Sequence, residues 1–253
     1  MEALLNYLAF VPAYAMDLTR LLASPKTFLK NKSREGDQDW ANALTFFAIS
    51  IIIAFLIQTT GVNLIQTTGV KLDPDILTDL MRAILLSAIC TLVIAVLIKI
   101  AWRFVGGRAP LHSIVLTQFY VFSAYALIMC CICLIFVSLH ALFYSGYYHD
   151  VSRMTHKGFF NVLYQVINNP DTASLLSPVK YPGLLQLGIV MLGISCLVSV
   201  AWTIAIWGAY RQLNEASRIR SFAAFILCGM LSVPTFGVLL LLIAGGLMPG
   251  FEP

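Results

Sequence analysis

Metal ligation or nucleophilic chemistry in this sequence would have to come from six cysteines, Cys90, Cys130, Cys131, Cys133, Cys196 and Cys228, and four histidines, His112, His140, His149 and His156. The CCIC run places Cys130 and Cys133 on one helical face, where two thiolates can share a soft metal. A closed site needs further ligands, and no His or carboxylate is spaced to supply them. All six cysteines fall in apolar runs, so the expectation is small, polarisable packing residues, with no disulfide framework and no metal. His112, His149 and His156 sit in connections that lack the carboxylate spacing of an acid–base pair. GxSxG, HExxH and phosphate-binding glycine loops are absent, and no apolar run holds a carboxylate pair. The expected protein is noncatalytic, with no catalytic residue and no cofactor.

The elements that would position these residues are set by composition. Of the 253 residues 59% are apolar and 11% charged, against about 25% charged in soluble globular proteins. A bilayer core takes roughly 20 apolar residues per helical span, and five runs reach that length: 41–60, 83–102, 114–143, 183–210 and 222–248. Backbone amides in lipid must bond within their own segment, and none of the runs alternates like a barrel strand. The predicted fold is all-α, a polytopic membrane helical bundle with five transmembrane helices and an N-terminal amphipathic helix. The Met-Glu-Ala start carries no basic stretch before an apolar one, so no cleaved signal peptide is expected.

Basic residues are retained on the cytoplasmic side of a membrane. An N-terminus placed inside gives that side Arg20, Lys26, Lys30, Lys32, Arg34, Lys99, Arg103, Arg108, Arg211, Arg218 and Arg220. Those eleven, less six acidic residues, leave the inside at +5, while five basic and six acidic residues leave the outside at −1. The prediction is a cytoplasmic N-terminus and an outside C-terminus. The basic residues follow topology and form no nucleic-acid face; the implied partners are the lipid bilayer and a membrane-protein partner or a second copy of the chain.

Two regions follow. Residues 1–39 hold a helix and a linker on the cytoplasmic side, and residues 40–253 the five-span domain. In the first, Leu4, Leu8, Val11, Ala15, Leu18 and Leu22 recur at helical spacing, with a bend expected at Pro12. Such a stripe suits a helix lying in the membrane interface or packed on the bundle. SPKTFLKNKSREGDQDW then reads as a polar linker ending at an interfacial Trp40. The outer connection 144–182 is long and aromatic-rich, and HKGFFNVLYQVI within it could form a short surface helix. LIQTTGVNLIQTTGV at 56–70 states seven residues twice around Asn63. Copies eight residues apart fall about 80° apart on a helix, so the repeat reads as a tolerated duplication where the first span leaves the membrane.

Within the spans the legible chemistry is packing. Ala201, Ala205 and Ala209 recur every four residues, beside Ser195 and Ser199, and would let another helix approach closely. Pro234 and Gly237 interrupt the last span and free backbone groups that a neighbour or a cavity must satisfy. Gln118, Ser123, Tyr125, Ser232 and Thr235 could line a polar interior with His140 near the outer end of span three, or bond back to their own helices. The first arrangement would make a small-solute, ion or lipid transporter or channel; the second, a scaffold.

The order of these features resembles the Yip1 family. SPKTFLKNK is similar to the Pro-Phe segment before the family's first span, and RFVGGRAPLHSIVLTQFYVFSAYALI at 103–128 to its Gly-Gly turn and Tyr-rich third span. WGAYRQLNEASRIRSFAAFIL at 207–227 looks like its polar turn before the last span. The resemblance spans about 21–248 and implies a noncatalytic scaffold or accessory subunit of membrane organisation or trafficking. Relatives that meet Rab GTPases carry long cytoplasmic N-terminal regions; about 40 residues before the first span suit a bacterial inner-membrane member better.

Overall fold

The computed structural model describes residues 2–32, 38–65, 76–143 and 184–244, without the side chains near several helix ends. Among the described residues there are seven helices and no strand. They are α1 (Glu2–Ala23), α2 (Pro25–Lys32), α3 (Gln38–Ile65), α4 (Ile76–Phe104), α5 (Leu111–Phe143), α6 (Leu184–Leu213) and α7 (Arg218–Ala244). Four stretches are long and apolar enough to cross a bilayer: Trp40–Thr59, Leu77–Phe104, Leu111–Leu139 and Gln186–Leu213. They point to a membrane protein. The fifth expected run falls on α7, the C-terminal end of which lies mostly outside the described side chains. Outside the described residues altogether are the connection 144–182, with its expected surface helix, and the repeat beyond Ile65. The first copy of the repeat is helical, and α3 continues to Ile65, more than a turn past the expected exit at Thr60.

α5 is the centre of the bundle. α3 lies parallel to it: Trp40 and Phe47 meet Phe119, and farther along Ala54 packs with Leu127 and Cys130. α4 and α6 run antiparallel to it, and α7 packs on α4 and, through Phe225 against Trp207, on α6. Every residue from 113 to 121 is buried. A helix can be covered all round only where neighbours enclose it, and here α3, α4, α6 and the α1–α2 pair do so. The core is thus densest where α4 turns into α5 and α6 into α7, the short-loop end. Two aromatic groups fill it, one around Phe46, Phe119 and Tyr120, the other around Trp102 and Trp207, stacked with centroids 5.4 Å apart.

In place of the first part of the expected polar linker, residues 25–32 form a short helix that buries Phe28 and Leu29. Ser24 accepts the Phe28 amide at 3.0 Å, and Pro25 opens the first turn, where a missing N–H costs nothing. Phe28 and Leu29 enter the core. Gly208 of α6 has no side chain, which lets the Lys26 stem lie across it. A Lys32–Asp17 ion pair at 3.5 Å joins α2 to α1.

α1 meets the bundle through Tyr14, Leu18 and Leu21, the last fully buried. Of the apolar stripe read from the sequence, the side chains of Leu4, Leu8 and Val11 lie outside the described residues; of the other three, Leu18 meets the bundle while Ala15 and Leu22 are exposed, so over this part the bundle-facing side is rotated roughly a quarter turn from the stripe. Tyr14 carries that face, its ring tilted against Phe46 with centroids 4.9 Å apart and its hydroxyl hydrogen-bonded to Ser50 at 2.9 Å. Ser50 spends its one hydrogen on the Phe46 carbonyl, so Tyr14 is the donor. Burial pushes the Tyr14 phenol above the ordinary tyrosine value, opposed by the Ser50 bond, so at neutral pH the donor hydrogen is retained. Tyr14→Phe is expected to cost about 1 kcal/mol, read as a lower thermal unfolding midpoint in detergent.

Candidate functional site

The polar side chains gather at the short-loop end. α4 ends in a tight turn in which the Gly107 amide donates to the Trp102 carbonyl at 2.7 Å and Gly106 takes a φ of 82°, a conformation glycine adopts without a Cβ penalty. The chain then passes Ala109, whose carbonyl accepts from Lys99 Nζ. Ala109 N–H donates to Asn214 Oδ1 at 3.2 Å, and Asn214 Nδ2 donates to the Tyr210 carbonyl at 2.9 Å. The Tyr210 hydroxyl in turn donates to Gln118 Oε1 at 2.6 Å. Asn214 is 2% exposed, so one buried amide latches the α4–α5 loop to the end of α6. After it, Glu215 takes a φ of 50° as the helix ends.

Beside this latch lies a cleft of about 350 Å³ between α2, the start of α5 and the end of α6. Leu29 and Lys30 form one wall; Pro110, His112, Ser113 and Thr117 form the second; Ala209, Gln212, Leu213 and Glu215 close it. The polar groups are therefore a cation from α2, an imidazole, two hydroxyls one helical turn apart, an amide and a carboxylate.

The residues singled out from the sequence disperse along the bundle. Ser199 donates to the Ser195 carbonyl and accepts from Tyr125 at 2.9 Å, joining α6 to α5. Ser123, Ser232 and Thr235 bond back to the carbonyls of Phe119, Cys228 and Leu231. Ala209 is buried at the short-loop end, while Ala205 is half-buried and Ala201 exposed, so the small-residue ridge meets the bundle only at one end. Pro234 is exposed in a helix that continues past it, and Gly237 faces open space. His140 lies in α5, with its side chain outside the described residues. Tyr125 with Ser199, and Ser199 with the Ser195 carbonyl, are thus the hydrogen bonds that the described structure makes among these positions. The cysteines are free thiols, and among the described residues no three His, Cys, Asp or Glu converge.

Sequence reading passed over Asn214, Tyr210, Ser113 and Thr117. A local signal existed for the hydroxyls, which are four apart at the start of an apolar run; Asn214 reads locally as an ordinary turn residue. Comparison of the chain with protein-family models, with curated proteins and with solved structures gives no match. The fold and the site define a polytopic helical membrane protein with a hydrogen-bonded short-loop end.

Proposed function

We propose that this chain is a noncatalytic five-span scaffold or accessory subunit of the Yip1 type, set in a bacterial inner membrane with its N-terminus and short loops cytoplasmic and its C-terminus outside. In this reading α7 is the fifth span, and α1 lies in the interface with Ala15 and Leu22 toward lipid. The observation that carries the reading is the exposure of α6. Only 6% of its membrane-length stretch is buried, against 33%, 17% and 28% for α3, α4 and α5. Ile189, Leu192, Leu197, Val200 and Ile204 all face outward on it, along with Ala201. Small residues on such a helix permit close approach by a second helix. Two side-chain hydrogen bonds, Tyr125 with Ser199 and Tyr210 to Gln118, tie α5 to α6 and support the same reading.

The test uses Cys196, an exposed thiol on α6. Native membranes are treated with a bifunctional thiol or amine crosslinker and the full chain is purified. A partner, or a second copy, captured at a fixed ratio is the expected result, and it should diminish on Cys196→Ser with the thiol reagent. A lone monomer under both reagents overturns the proposal. Solute flux through liposomes containing only this protein would point to transport instead.

A further inference from the structure

The geometry points to the short-loop cleft as a binding site for a phosphate group. Its inner wall is the first two turns of α5. Among the described residues, the amides of Leu111, His112 and Ser113 have no carbonyl acceptor; backbone pairing begins with Ile114 to Pro110 at 3.4 Å. The start of a long helix presents partial positive charge and open N–H groups, the combination that receives phosphate oxygens.

A second observation is independent of the helix end. Ser113 and Thr117 are 5% and 1% exposed, line the cleft, and make no hydrogen bond within the described structure. Elsewhere in the bundle the hydroxyls of Ser50, Thr91, Ser123, Ser199, Thr203, Ser232 and Thr235 each bond back one turn along their own helix. Two buried hydroxyls that decline this local bond and open into a polar cleft are donors in want of an acceptor. A phosphate oxygen supplies one, and charge-assisted bonds of this kind are the stronger class. Lys30 and His112 stand at the rim and Gln212 opposite. Glu215 also lines the cleft; its carboxylate opposes an anion and sets an upper bound on affinity.

The phosphate could belong to a lipid headgroup or be free in solution, and the experiment has an arm for each. The full chain is placed in phosphatidylcholine nanodiscs with and without phosphatidic acid, and bound lipid is counted by native mass spectrometry. Separately, inorganic phosphate is titrated in detergent and read by thermal shift. Retained phosphatidic acid without a phosphate shift assigns the headgroup; a shift with inorganic phosphate assigns the free ion. Ser113→Ala with Thr117→Val is expected to weaken binding about tenfold or more, while Glu215→Gln is expected to strengthen it several-fold. Binding in neither arm, or binding the double variant leaves unchanged, overturns the inference. If the double variant does not fold, Glu215→Gln decides alone: tighter binding supports the site, and unchanged or weaker binding overturns it.

Discussion

Gly107→Ala is expected to lose about 3 kcal/mol of stability. A Cβ at this position would stand 2.6 Å from Asn214 Oδ1, 2.9 Å from the Trp102 carbonyl oxygen and 3.0 Å from Trp102 Cβ. The backbone conformation is not the obstacle, since the left-handed φ in this turn belongs to Gly106. The obstacle is space. The Trp102 carbonyl is held by the Gly107 amide and its indole is fully buried, so neither can yield as a flexible side chain would. Overpacking costs about 1–3 kcal/mol, and displacing Asn214 forfeits a buried hydrogen bond worth roughly another 1 kcal/mol. Thermal unfolding in detergent checks the result; a midpoint equal to wild type would show that the turn has slack the structure does not contain.

Asn214→Leu should cost about 2–3 kcal/mol, because similar volume is kept while the Ala109 amide is left buried without an acceptor. The expected signature is local: faster hydrogen exchange across 105–110, with amides in the middle of α3 unchanged. The two substitutions share a partner, so their costs should not add. Combining them ought to recover about 1 kcal/mol, because the hydrogen bond from the Ala109 amide to Asn214, forfeited in each single variant, is lost only once in the pair. Full additivity would mean that Gly107 and Asn214 are not in contact.

What was legible in the sequence depended on how local its cause is. Four of the expected spans are properties of length and composition, and they correspond to α3, α4, α5 and α6. The Gly106–Gly107 turn was visible as well, since a glycine pair between two apolar runs has few other uses. α2 was half visible: Ser24 and Pro25 are helix-start residues, but Phe28 and Leu29 are too few to make a periodic pattern. In α1 the helix was legible but its contact with the bundle was not, because the stripe was counted on aliphatic residues, whereas Tyr14 packs its ring on Phe46 and satisfies its hydroxyl on α3. Asn214 could not be read at all, because the bond that defines it reaches back 105 residues. The cleft is hidden for the same reason, its walls coming from three separated parts of the chain.

The seating of α2 on α6 also has a consequence in time. Lys26 lies over Gly208, so a helix made among the first residues must wait for one made near the last. At typical elongation rates of 5–20 residues per second, that interval is roughly ten to forty seconds. During it, Phe28 and Leu29 lack one wall of their final surroundings, and the earliest part of the chain cannot reach its final position before the later spans are in place. Synthesis therefore leaves the N-terminal segment to dock late, closing a bundle whose central helix is already laid down.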